Sequence, residues 1–208
     1  MNMKLFLASR VVHPDSLKKL DEFVGGLTGK SVAYIPTAAN GEGYGSWKDG
    51  ESWEIVQTLG MNITLVELED FRNSSVIDQL KDKDIIWVAG GECGYLMYWI
   101  RRCEVDTHLR SLLSEKTVYV GSSAGSMVTA PTLQVTEWFQ GDIETGASVI
   151  PGLGLVDFDF CPHFQNDQMD YINSHYHGKK LYAVKDGEEI IVEDNVISVI
   201  GEERRIGK

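Results

Sequence analysis

Thr117 to Val128 reads TVYVGSSAGSMV. A run of β-branched and aromatic residues is cut by a glycine and two serines and restarts at once in small, helix-compatible residues. That is the grammar of a strand turning sharply into a helix. Gly121 to Gly125 spells G-x-S-x-G with Ser123 at its centre. At so tight a corner the central residue takes strained dihedrals, and its neighbours two positions away must be small for strand and helix to pass. Ser123 is then held out into a cleft, and the N–H of Ala124 with the helix's first free N–H groups points where an oxyanion would form. A glycine-rich turn bearing serines also serves as a helix cap or a phosphate cradle. No lysine follows as in a P-loop, and a position directly after a strand is the context that the nucleophile motif requires.

A strand-to-helix corner implies an α/β sheet, and the rest of the chain has that rhythm. The runs MKLFLAS, SVAYIP, NITLVEL and DIIWVAG alternate with helical patterns, which predicts βα units around a largely parallel sheet. After the first run, Pro14, Asp15 and Ser16 start a helix whose apolar positions are Leu17, Leu20, Phe23, Val24 and Leu27, with a glycine pair near its end. Further helices are predicted around Trp53 to Leu59, Leu96 to Arg102 and Thr107 to Ser114. The stretch TAANGEGYGSWKDGES, from Thr37 to Ser52, reads as a loop too polar and glycine-rich to pack. It lies at the carboxyl end of a strand, where open α/β sheets bind ligands, and Trp47 within it is expected to shape a pocket. At the other end of the chain, Asp186-Gly187 and Asp194-Asn195 punctuate three short runs in LYAVKDGEEIIVEDNVISVIG, which predicts an antiparallel meander at a sheet edge. The 208 residues hold no repeat, linker or low-complexity segment, so a single domain over 1–208 is expected, long enough for a sizeable core.

The formal net charge of -12 repels a phosphate backbone and an anionic membrane surface alike, so nucleic acid and membrane are excluded as partners at this stage. The opening MNMKLFLASR lacks a signal-peptide core, and no later apolar run reaches bilayer length; a cytoplasmic protein is expected. Sequons at Asn62 and Asn73 then carry no meaning. Cys93, Cys103 and Cys161 lack zinc or redox spacing and read as reduced thiols.

A nucleophilic serine needs a base, an orienting acid and a second oxyanion donor. VAGGECGY, Val88 to Tyr95, ends its strand in a glycine pair, so a backbone N–H near Gly91 is placed to face the same cleft. Among the five histidines, His13, His108, His175 and His177 read as capping or surface residues, and the last two lack a further ligand at metal-binding spacing. His163 differs. It follows the apolar run LVDFDFCPHF, with Pro162 restricting the backbone before it, at what should be another carboxyl strand end. Glu137, Asp142, Glu144, Asp157 and Asp159 lie between serine and histidine, and Asp186 lies after them; spacing leaves the acid open.

Together these segments resemble the peptidase E (aspartyl dipeptidase) family of serine peptidases, relatives of cyanophycinase with the class I glutamine amidotransferase-like fold. The likeness runs from the opening strand through YIPTAA, VAGGECGYL, GSSAGSMV, PHF and the closing DG meander. It implies a three-layer α/β/α sandwich with a mostly parallel sheet, and a serine-type hydrolase of small peptides or other amides that needs neither metal nor organic cofactor. It also implies Ser123 as nucleophile, His163 as base and Asp186 as acid, where the dipeptidase has Glu; Glu137 is the rival acid. Where the family continues its oxyanion loop with Asn-Thr-Phe, this chain has Glu92, Cys93 and Gly94, so Glu92 and Cys93 are candidate substrate contacts. A carboxylate there disfavours acidic substrates and suits a free amino group. The segment after His163 also lacks the relatives' arginines, the natural partners of a substrate carboxylate. Two other readings stay open: a non-catalytic or regulatory ligand-binding protein on the same scaffold, and an esterase whose acid precedes His163.

Overall fold

The computed structural model describes residues 3–113, 116–138 and 146–207. In chain order its elements are β1 (Lys4–Ala8), α1 (Pro14–Val24), β2 (Ser31–Ile35), α2 (Thr37–Asn40), α3 (Glu51–Thr58), β3 (Asn62–Leu65), α4 (Ile77–Leu80), β4 (Ile85–Val88), α5 (Cys93–Arg102) and α6 (Val105–Leu112). There follow β5 (Val118–Ser122), α7 (Ala124–Met127), β6 (Asp159–Cys161), α8 (Met169–His175), β7 (Lys180–Ala183), β8 (Glu189–Glu193), β9 (Val196–Ile200) and β10 (Arg205–Gly207). Seven strands form the main sheet in the order β3-β2-β4-β5-β1-β8-β9. The pairs from β3 through β1 are parallel, whereas β1 with β8 and β8 with β9 are antiparallel.

The residues of β1 explain the layering. Leu5 and Leu7 point into one core and Phe6 and Ala8 into the other, all four fully buried. A strand with both faces covered reads as a continuous apolar run, and burying each such Leu or Phe contributes roughly 2 kcal/mol before conformational entropy is counted. Leu20 of α1 and Val56 of α3 cover the Phe6 face; Leu96 and Met97 of α5 and Leu109 of α6 cover the other. The result is a three-layer α/β/α arrangement, as expected. Helix α1 starts as its sequence predicts but takes its cap from His13, whose ring accepts the Asp15 N–H at 3.3 Å. It stops at Gly25, where φ is 72°, and Leu27 lies beyond it.

Two expectations change. Part of the Thr37 to Ser52 stretch does pack: Thr37, Ala38, Asn40 and Trp47 are buried within α2 and the turn that follows it, while Glu42, Tyr44 and Ser46 stay exposed. Its polar groups are satisfied by two glutamates beyond β3. Thr37 Oγ1 donates to Glu69, Asn40 Nδ2 to both Glu67 and Glu69, and Trp47 Nε1 to Glu67. Composition alone does not reveal such a network. The closing meander is also divided. Only β8 and β9 form an edge hairpin; β7 joins a second sheet, parallel to β6 and antiparallel to β10. The Asp186-Gly187 turn therefore carries the chain from one sheet to the other, because a turn signal marks a reversal and not the strand that will be paired.

Candidate active site

The Ser123 corner has the crowding that its sequence demands. Its backbone sits at φ 49° and ψ -111°. A Cβ on Gly121 would stand 2.7 Å from the Gly125 carbonyl, and one on Gly125 would stand 2.1 Å from the Val88 oxygen. Neither position admits a side chain unless backbone moves. Hydrogen bonds lock the turn from below: Ser123 N–H donates to the Ala8 carbonyl at 3.1 Å, and Ser126 Oγ to the Ala8 and Gly121 carbonyls, each at 2.8 Å.

His163 reaches the same place from the second sheet, just past β6, with φ 55°. Its Nε2 is 3.0 Å from Ser123 Oγ, and its Nδ1 is 2.7 Å from Asp186 Oδ1. With Nδ1 donating its hydrogen to the carboxylate, Nε2 presents a lone pair to the serine hydroxyl. Burial pushes the Asp186 carboxyl upward, but the hydrogen bond from Ser9 and the charge and hydrogen bond of His163 outweigh it, leaving the group below its ordinary value.

Ser123 and His163 line a cavity of about 360 Å³, walled by Tyr34, Trp47 and Trp53 and floored by Gly90 and Gly91. Trp47 is thus both a pocket wall and a buried core residue. Gly91 is held at φ 134°, and a Cβ there would lie 2.2 Å from the Ala38 backbone. Ala124 is the first residue of α7, and neither its N–H nor that of Gly91 donates to another described backbone group.

The remaining sequence candidates lie elsewhere. The Glu92 side chain packs over Gly41 and is not among the cavity residues. Cys93 opens α5 instead of sitting in a loop, buried with its sulfur 3.8 Å from that of Met127. Its neighbours are core groups because the helix begins one turn earlier than the Leu96 start predicted from the apolar pattern. All three cysteines are buried, and none forms a disulfide among the described residues. Glu137 accepts the N–H groups of Gly146 and Ser148, Asp157 pairs with Lys180, and Asp159 is buried under Thr132, Gln134 and Tyr176. Asp142 and Glu144 lie outside the described residues.

Sequence reasoning missed Ser9 and Arg10, which also line the cavity. Ser9 Oγ donates to Asp186 Oδ1 at 2.6 Å and accepts the His163 N–H at 2.8 Å. Arg10 pairs with Glu51 of α3 at the rim. Both follow the carboxyl end of β1, and the strand-end rule applied to SVAYIP would have found them there too.

Residues 6–200 match the model of peptidase family S51. The chain belongs to that family. An uncharacterized peptidase of Listeria monocytogenes is 25% identical over 90% of this chain and 93% of its own length. Peptidase E of Nostoc sp. is 25% identical over 88% of this chain and 77% of its own. A solved structure from Listeria monocytogenes, described as a candidate peptidase E, superposes with a TM-score of 0.80 at 23% identity, covering 97% of this chain and all of that one. That structure shares the fold. The S51 chain is accordingly a peptidase hydrolase, serine-type by family, as the motif resemblance implied. Among the described residues no helix is long and apolar enough to cross a membrane.

Proposed function

We propose that this S51 peptidase hydrolyses small peptides through a Ser123-His163-Asp186 triad and an acyl-enzyme. One observation carries the reading: a single imidazole touches the hydroxyl at the strained turn with one nitrogen and a carboxylate with the other. His163 takes the proton of Ser123 as the oxygen attacks the amide carbonyl, and Asp186 holds the ring in the required tautomer and stabilises the imidazolium. The N–H groups of Gly91 and Ala124 stabilise the tetrahedral oxyanion. The imidazolium then protonates the leaving amine as the C–N bond breaks, and water, deprotonated by His163, releases the acid from Ser123 by the same route.

The modest cavity volume and its aromatic walls suit a short peptide better than a folded chain. The Glu92 side chain lies over Gly41 and is not among the residues that line the cavity, so it gives no direct support to a non-catalytic ligand-binding role there. A fluorophosphonate probe is expected to label the wild type and spare Ser123→Ala; equal labelling of both ends the assignment. A dipeptide-library assay on the purified protein, expected to show hydrolysis that Ser123→Ala lacks, then defines the side chains accepted.

A further inference from the structure

We propose that Ser9 is a positioning residue for the reaction: its hydroxyl at the end of β1 holds the backbone of His163 and the carboxylate of Asp186 in one fixed relation. The inference rests on the triad reading above and adds a group that acts through His163 and Asp186.

Topology gives Ser9 this reach. In the main sheet β1 lies between β5, whose end delivers Ser123, and β8, which begins just after Asp186. Ala8 is paired with Ser122 on one side and Glu189 on the other. The residue after Ala8 is therefore the one that leaves the sheet midway between proposed nucleophile and proposed acid. His163, coming from the second sheet, descends onto the same point.

The hydroxyl's bonding capacity matches what it meets. A serine offers one donor and two acceptor lone pairs. Its proton goes to Asp186 Oδ1 at 2.6 Å, and one lone pair takes the His163 N–H at 2.8 Å. The third approach, 3.3 Å to His163 Nδ1, closes a triangle of Ser9 Oγ, Nδ1 and Asp186 Oδ1. Because the Ser9 proton is already committed to the carboxylate, Nδ1 must supply its own hydrogen to Oδ1. That selects the tautomer with a free lone pair at Nε2, facing Ser123.

His163 also needs an outside clamp. Its φ of 55° is one that L residues rarely adopt, so contacts from the rest of the fold must hold it. Val184 takes the next N–H, that of Phe164, at 3.1 Å, and Ser9 takes that of His163 itself. Ser9 is fully buried in the folded chain, so its hydroxyl bonds to these protein groups.

The experiment compares wild type with Ser9→Ala in two readouts: the second-order rate of fluorophosphonate labelling, and the downfield proton resonance of His163 Nδ1–H, assigned by its loss in His163→Ala. At a temperature where both proteins are folded, Ser9→Ala is expected to label about ten- to a hundredfold more slowly, the range for losing a hydrogen bond to a charged group. Its resonance is expected to move upfield or broaden away. A wild-type rate with an unmoved resonance overturns the proposal, even if the melting temperature falls, since that pattern is a purely structural role. Should Ser9→Ala fail to fold, Ser9→Cys, a weaker donor of similar shape, decides: slower labelling at a near-native melting temperature supports the role, and a wild-type rate refutes it. If wild type itself resists the probe, the nucleophile reading fails, while the resonance still reports on Ser9.

Discussion

Ser123 and His163 both hold non-glycine backbone in the left-handed region, at φ 49° and 55°, yet they are kept there by opposite means. Each such residue costs on the order of 1–3 kcal/mol and persists only where its surroundings over-determine it. For Ser123 those surroundings begin with its own neighbours: Gly121, Gly125 and Ser126 lie within three residues, while Ala8, Val88, Gly90 and His163 reach it from elsewhere. For His163 they are distant: Ser9 stands 154 positions away and Asp186 23 positions away. One corner is held by local crowding, the other by tertiary clamps. A local device writes a motif into the chain, whereas a tertiary one leaves only isolated residues.

Breaking the distant clamp should have the largest effect. Asp186→Asn leaves the ring's neighbour in place but removes the charge, and peptide hydrolysis is expected to drop on the order of ten thousandfold in kcat. Glu137→Gln, at a side chain engaged with Gly146 and Ser148, is expected to keep the wild-type rate. The reverse pair of results moves the acid to Glu137. Breaking the local device should instead register in stability. In Gly125→Ala the new methyl meets the Val88 carbonyl, and a loss of roughly 3 kcal/mol is expected in urea denaturation; a wild-type midpoint would show that the corner relaxes freely.

The smallest expected effect lies under the distant clamp. Glu189 opens β8, fully buried, with Ser16 donating to one oxygen and the other lacking a partner among the described residues. Burial pushes it from its ordinary 4.5 up to about 7, against the Ser16 hydrogen bond and the charge of Lys19, with Asp15 and Glu188 adding to the rise. Between those values the native protein keeps a proton that the unfolded chain has lost. Stability from this group therefore falls as pH rises from about 4.5 to about 7 and levels off above. Asp186, whose value is lowered, has the opposite sign: its contribution is complete above the ordinary carboxylate range and is lost as pH falls through its folded value. Melting temperatures at pH 5 and pH 8 are expected to differ less in Glu189→Gln than in wild type; an unchanged difference refutes the assignment.

Legibility in the sequence follows the same division. The alternation of apolar runs and amphipathic helices predicts the parallel sheet because each run is decided by its own residues. The Asp186-Gly187 signal marks a turn, but it does not show that β7 and β8 pair in different sheets. The Thr37 to Ser52 stretch looked unable to pack because the glutamates that satisfy it lie beyond β3. Cys93 replaces a residue of the family's oxyanion loop, but the start of α5 turns it into the core.

By itself the sequence determined the strand-to-helix corner at Ser123, the α/β class and the family, because each rests on residues close together in the chain whose spacing is a steric requirement. Only the tertiary structure decided which carboxylate meets His163, where Glu92 and Cys93 go, and that Ser9 stands between His163 and Asp186. Those contacts join segments that are separate in the chain, from 23 positions for His163 with Asp186 to 177 for Ser9 with Asp186, and are set by how the strands and helices come together, which no local pattern encodes.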